Sequence, residues 1–83
     1  GGVIASFMEL TAVFQLMLQL NTPALPKIVD FSVDYMRAGL DKDTFAICEV
    51  ERQGRRVSNC SVIAWQDRKR QPIASARAHF LMS

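Results

Sequence analysis

From Val3 to Leu20 the chain runs without a proline or an internal glycine, through helix formers and apolar side chains. That run predicts one long helix. Ile4, Phe7, Met8, Leu10, Val13, Phe14, Leu16, Met17 and Leu18 occupy nearly its whole circumference, so the helix must be covered on most sides or lie in a membrane. Glu9, Gln15 and Gln19 decide between the two. A membrane span needs about 20 apolar residues, and a carboxylate near its centre costs roughly 2.5 to 3.5 kcal/mol. The run is therefore read as the core helix of a folded domain, with no membrane partner expected.

The rest of the chain has the period of strands. Asn21 to Pro26 (NTPALP) ends the helix, because its two prolines remove amide donors and bias the residues before them away from the helical region. In Val29 to Tyr35, apolar Val29, Phe31, Val33 and Tyr35 alternate with Asp30, Ser32 and Asp34, as in a strand with one wet face. A turn over Gly39 to Asp43 leads to a second strand segment, Thr44 to Gln53, and Gly54 separates it from Val57 to Gln66 as a hairpin. Asp67 to Gln71 is a further polar turn. It precedes Ile73 to Met82, where Ala74, Ala76, Ala78, Phe80 and Met82 share a face. The order is one enclosed helix followed by an antiparallel meander, an α+β class in which a curved sheet would cover the helix. Eighty-three residues allow one domain, of marginal stability alone, so association or additional residues are expected.

Ten Lys and Arg against eight Asp and Glu give a net charge of +2, too little to point to a nucleic-acid partner. Distribution says more than the total. No basic residue precedes Lys27, whereas Arg52, Arg55, Arg56, Arg68, Lys69, Arg70 and Arg77 crowd the second half, which is where an anion site is expected. Cys48 and Cys60 are too few for a disulfide framework and have no metal-ligand spacing. The two could face one another across the Gly54 hairpin, or be offset by a one-residue change in the turn; buried free thiols are the simplest reading, and a reducing, cytoplasmic setting goes with them. The apolar start has no basic leader of a signal peptide. His79, the lone histidine, makes neither a triad nor a metal site.

Glu9 is the residue on which chemistry turns. Its helical neighbours are Ala5, Ser6, Ala12 and Val13, none able to neutralise it. An enclosed carboxylate without a partner is costly, and it takes a raised pKa, a distant counter-charge or a wet site to face. All three suit catalysis; a solvated stripe shared with Ser6 is the structural alternative. Gly1 and Gly2 open the helix without side chains and leave amide hydrogens free for a carbonyl or anion, although a terminal Gly-Gly pair alone is a weak signal.

The segments GGVIASFMEL, VDFSVDYMRAG and EVERQGRRVSNCSVIAW together resemble the hotdog-fold thioesterases, in particular the phenylacetic-acid-degradation and hydroxybenzoyl-CoA branches. That family carries His-Gly-Gly, a variable spacer, then Asp or Glu on the central helix; here Gly1, Gly2, the spacer Val3 to Met8 and Glu9 stand in those places. The histidine would precede Gly1, and so would the family's first strand and helix. Residues 1–83 are accordingly read as a single hotdog domain, incomplete at its N-terminus.

The resemblance implies a sheet wrapped around the helix and a homodimer or homotetramer with active sites between subunits. At about 1.5 Å per residue, Gly1 and Glu9 lie roughly 12 Å apart along the helix, so a second subunit is needed to bring both to one carbonyl. It further implies that the Gly1 amide, with Gly2 beside it, polarises the carbonyl of an acyl-CoA thioester. Glu9 would act as nucleophile or general base. Arg55, Arg56 and Ser58 would meet the CoA phosphates, and no metal or redox cofactor would be required. Val13 departs from the threonine or serine that some relatives place one turn after the carboxylate. Hotdog domains also serve as dehydratases and as non-catalytic acyl-CoA-binding or sensing modules, so binding without hydrolysis is the alternative.

Overall fold

The computed structural model describes residues 2–21, 26–54 and 56–81. Helix α1 spans Gly2–Leu20. It stops where Asn21 adopts a left-handed backbone with φ of 53°, a conformation that asparagine tolerates at a helix end. Strands β1 (Lys27–Tyr35), β2 (Phe45–Gln53), β3 (Val57–Trp65) and β4 (Ala74–Leu81) follow, each within two residues of the segments expected from alternation. Met82, assigned to the last strand's inward face, lies outside the described residues.

The four strands form one antiparallel sheet in the order β1-β4-β3-β2. This corrects the simple meander. Only β2, β3 and β4 run as consecutive neighbours, whereas β1 pairs with β4, Lys27 opposite Leu81 and Tyr35 opposite Ala74. The physical reason lies in Met36 to Thr44, which is too long for a tight hairpin and is bonded elsewhere. The Met36 and Arg37 amides donate to the Ile73 carbonyl at 2.8 and 3.2 Å. The Arg37 guanidinium donates to Pro72 O at 2.8 Å. Gln66 holds the middle of the segment: its Oε1 accepts from Leu40 N, and its Nε2 donates to Leu40 O and to Thr44 Oγ1.

One face of the sheet and one face of the helix make the core. Met8, Ala12 and Leu16 recur every fourth position and are completely buried. They pack among Cys48, Cys60, Val62, Ala64, Ala74, Ala76, Ala78 and Phe80. The alanines of β3 and β4 leave room for the helix to lie close. Among the described residues the sheet covers this side of α1, and Val3, Leu10, Phe14 and Leu18 remain exposed. α1 is also, among the described residues, a helix long and apolar enough to cross a membrane. Gly39 fixes the helix start from below, since a Cβ there would come within 2.8 Å of Ile4 Cδ1.

The thiols differ in register from a direct facing pair. Cys48 lies opposite Val62 and Cys60 opposite Val50, so the two are diagonal neighbours on the buried face. A hydrogen bond from the Cys48 thiol to Cys60, reinforced by burial, pushes the Cys48 pKa up; accepting that bond lowers the Cys60 pKa against the opposing effect of burial.

Candidate active site

Two regions carry the candidate residues. The first is the opening of α1. Gly2 is its first helical residue, and nothing lies within 4 Å of where its Cβ would be, so the approach to the helix start is open. Gly1 lies outside the described residues. Glu9 sits in the N-terminal half of α1, next to buried Met8 but exposed itself. The argument from an enclosed carboxylate is thus corrected. Among the described residues nothing encloses Glu9, whose side chain faces solvent.

The second region is the tip of the β2–β3 hairpin. The Gly54 amide donates to Val57 O at 2.9 Å. A Cβ on Gly54 would stand 2.9 Å from that same oxygen, so the tight tip requires glycine. Beside it, Arg52, Gly54, Arg56, Val57 and Asn59 line an open groove of about 410 Å³. Arg52 and Asn59 are register partners, brought opposite one another where a bulge follows Val50. Two guanidinium groups and a carboxamide at one groove present donors suited to a phosphate.

Of the residues assigned to CoA phosphates, Arg56 lines this groove. Arg55 lies outside the described residues. Ser58 is corrected: its side chain is fully buried on the core face, opposite Phe80 and Gln53, with an Oγ that has no hydrogen-bond partner among the described residues. Asn59 was missed by the sequence reading, and Arg52 was placed among the basic residues of an expected anion site without being assigned to the phosphates. Strand period could have found Asn59, because a buried Ser58 turns Val57 and Asn59 outward together.

The two regions are separate within one chain. Gln19 Nε2 donates to Gln53 Oε1 at 2.9 Å, tying the hairpin to the C-terminal end of α1. Gly2 is at the other end, roughly 25 Å away along the helix axis.

Residues 1–73 match the family model described as the thioesterase superfamily. The chain belongs to the thioesterase superfamily. Solved structures agree with its hotdog fold, one helix on a four-stranded antiparallel sheet. A protein from Chromobacterium violaceum is 48% identical, with a TM-score of 0.89, and is matched over 100% of this chain and 61% of its own. A phenylacetic acid degradation-related protein from Ralstonia eutropha is 22% identical, with a TM-score of 0.83, over 99% of this chain and 61% of its own. A Bacillus halodurans protein solved with CoA is 16% identical, with a TM-score of 0.87, over 98% of this chain and 56% of its own. The thioesterase-superfamily chain thus spans about three fifths of the length of these relatives. No protein with a curated description matches it.

Proposed function

We propose that this domain contributes to hydrolysis of an acyl or aryl CoA thioester to the free acid and CoA. The observation that carries the reading is Gly1, Gly2 and Glu9 at the spacing of the family motif, where α1 begins. In this reading the Gly1 amide, with Gly2 beside it, draws electron density from the thioester carbonyl. Glu9 of a second subunit either adds to that carbonyl or takes a proton from the attacking water. On the nucleophilic route the carboxylate forms an acyl anhydride, CoA leaves as the thiolate, and water then cleaves the anhydride. On the general-base route water adds directly. Oxygen-isotope labelling separates the two, since only the anhydride route carries solvent oxygen into Glu9.

The groove at Arg52, Arg56 and Asn59 is the proposed seat of the CoA phosphates. The Bacillus halodurans relative solved with CoA supports a ligand of this kind. Glu9 and the end of α1 that touches the hairpin are about 15 Å apart, a span that calls for an extended pantetheine arm between phosphates and thioester.

Thiol release from a panel of acyl and aryl CoA esters tests the reading on the full-length protein and its Glu9→Gln variant. Hydrolysis by the wild type and a loss of about a hundredfold or more in a folded variant are expected. A second reading, acyl-CoA binding without hydrolysis, draws on Val13, which cannot give the hydrogen bond that a hydroxyl one turn after Glu9 would supply. Binding of a non-hydrolysable CoA thioether by a protein that cleaves no ester would establish it.

A further inference from the structure

Two β-bulges bring charged residues into one row on the outward face of the sheet. On β1 the pairing passes from Ile28 opposite Phe80 to Asp30 opposite His79, and on β2 it passes from Val50 opposite Cys60 to Arg52 opposite Asn59. Uninterrupted pairing would have set Val29 against His79 and Glu51 against Asn59. Bulges re-aim side chains in this way and gather beside functional sites. Because Asn59 and His79 are themselves partners, Arg52, Asn59, His79 and Asp30 form a row with one member from each strand. Buried Ser58, Cys60, Ala78 and Phe80 flank the two central members, which puts the row on the face away from α1.

One end of the row is the phosphate groove, which Arg52 and Asn59 line. His79 continues it. Register partners stand about 5 Å apart at Cβ, and Arg52 and His79 are two strand spacings, about 10 Å, apart, so their side chains can meet one phosphate from opposite sides. Toward β1, His79 Nδ1 is 3.4 Å from Asp30 Oδ2. That contact turns the Nδ1 hydrogen to the carboxylate. The two ring nitrogens point in nearly opposite directions, so Nε2 is directed away from β1. In the neutral ring this Nε2 carries a lone pair, which repels a phosphate oxygen; with a second proton it becomes a cationic donor.

We infer that His79 is a specificity-determining residue of the groove: its Nε2 takes a proton from water and then donates to a phosphate held by Arg52 and Arg56, so that pH governs affinity for the nucleotide end of a CoA ester. Asp30 is its positioning residue. The inference rests on the CoA reading of the groove. Among the described residues, the charged groups facing His79 are Asp30 and Lys27 on β1 and Arg77 on its own strand; β3 presents neutral Asn59 and Ser61, with Arg52 and Glu49 one strand beyond. Of these side-chain types only imidazole changes charge between about pH 5 and 8. Affinity therefore rises as pH falls.

The experiment measures the Kd of CoA, and of pantetheine as a phosphate-free probe, by calorimetry on the full-length protein at about pH 6 and pH 8. Ionisation of the ligand's own terminal phosphate is common to every variant, so variants are compared at each pH. The wild type is expected to bind CoA about tenfold more tightly than His79→Gln at pH 6, the size of one charge-assisted contact, and to match it within about twofold at pH 8. His79→Lys, a permanent cation, is expected to keep the tenfold advantage at both. Asp30→Asn is expected to narrow the advantage at pH 6 to about threefold, with pantetheine binding the same in all four proteins. An advantage over His79→Gln that is equal at the two pH values, or absent from both, would overturn the inference. If Arg52→Ala weakens CoA binding all the same, the CoA reading of the groove survives that result. A wild type that binds no CoA, or binds it no better than Arg52→Ala, would overturn the reading and the inference together.

Discussion

At the residue scale the informative positions are Ser58 and the arginines of the hairpin. A buried hydroxyl with no partner forfeits its hydration without recovering a hydrogen bond. Ser58→Ala is therefore expected to raise stability by about 1 kcal/mol, read as a higher midpoint in urea, and to leave ester hydrolysis unchanged. Arg52→Ala and Arg56→Ala are expected to raise KM for CoA esters about tenfold each with little change in kcat, since each removes a charge-assisted contact remote from the carbonyl. Short acyl thioesters lacking the nucleotide should be indifferent to both changes. Glu9 was legible as the anomalous charge of an apolar helix, but its exposure was not. Helical period shows which residues share a face, whereas which faces the chain leaves bare depends on what else packs there.

At the scale of elements, the Met36–Thr44 connection matters most, because it must hold β1 and β2 at opposite edges of the sheet. Gln66 makes three of the bonds that order it, two to Leu40 and one to Thr44. Gln66→Ala is expected to cost about 1 to 2 kcal/mol, measured by chemical denaturation, and to speed amide exchange at Leu40. The Lys42–Asp67 pair, at 2.7 Å between exposed side chains, contributes less than its geometry suggests. Neither contact could be read from sequence. Each joins a loop to a turn more than twenty residues away, and neither leaves a periodic signal.

At the scale of the molecule, alternation located all four strands and the alanine face of β4, and the apolar run located α1. Strand order was not legible, because period 2 fixes which face a residue takes and says nothing about which neighbour it pairs with. That order has a consequence for how the chain acquires its shape. The hairpin of β2 and β3 and the return of β4 close over short loops, but β1 finds its partner only when Lys27 meets Leu81. Among the described strands β1 therefore gains its partner only after the fourth has been made, and Ile28, Phe31 and Val33 reach their places against the core late. The closing of the sheet is thus a step of high contact order, and its rate is expected to fall more than that of the β2–β3 hairpin when the β1–β4 pairing is weakened.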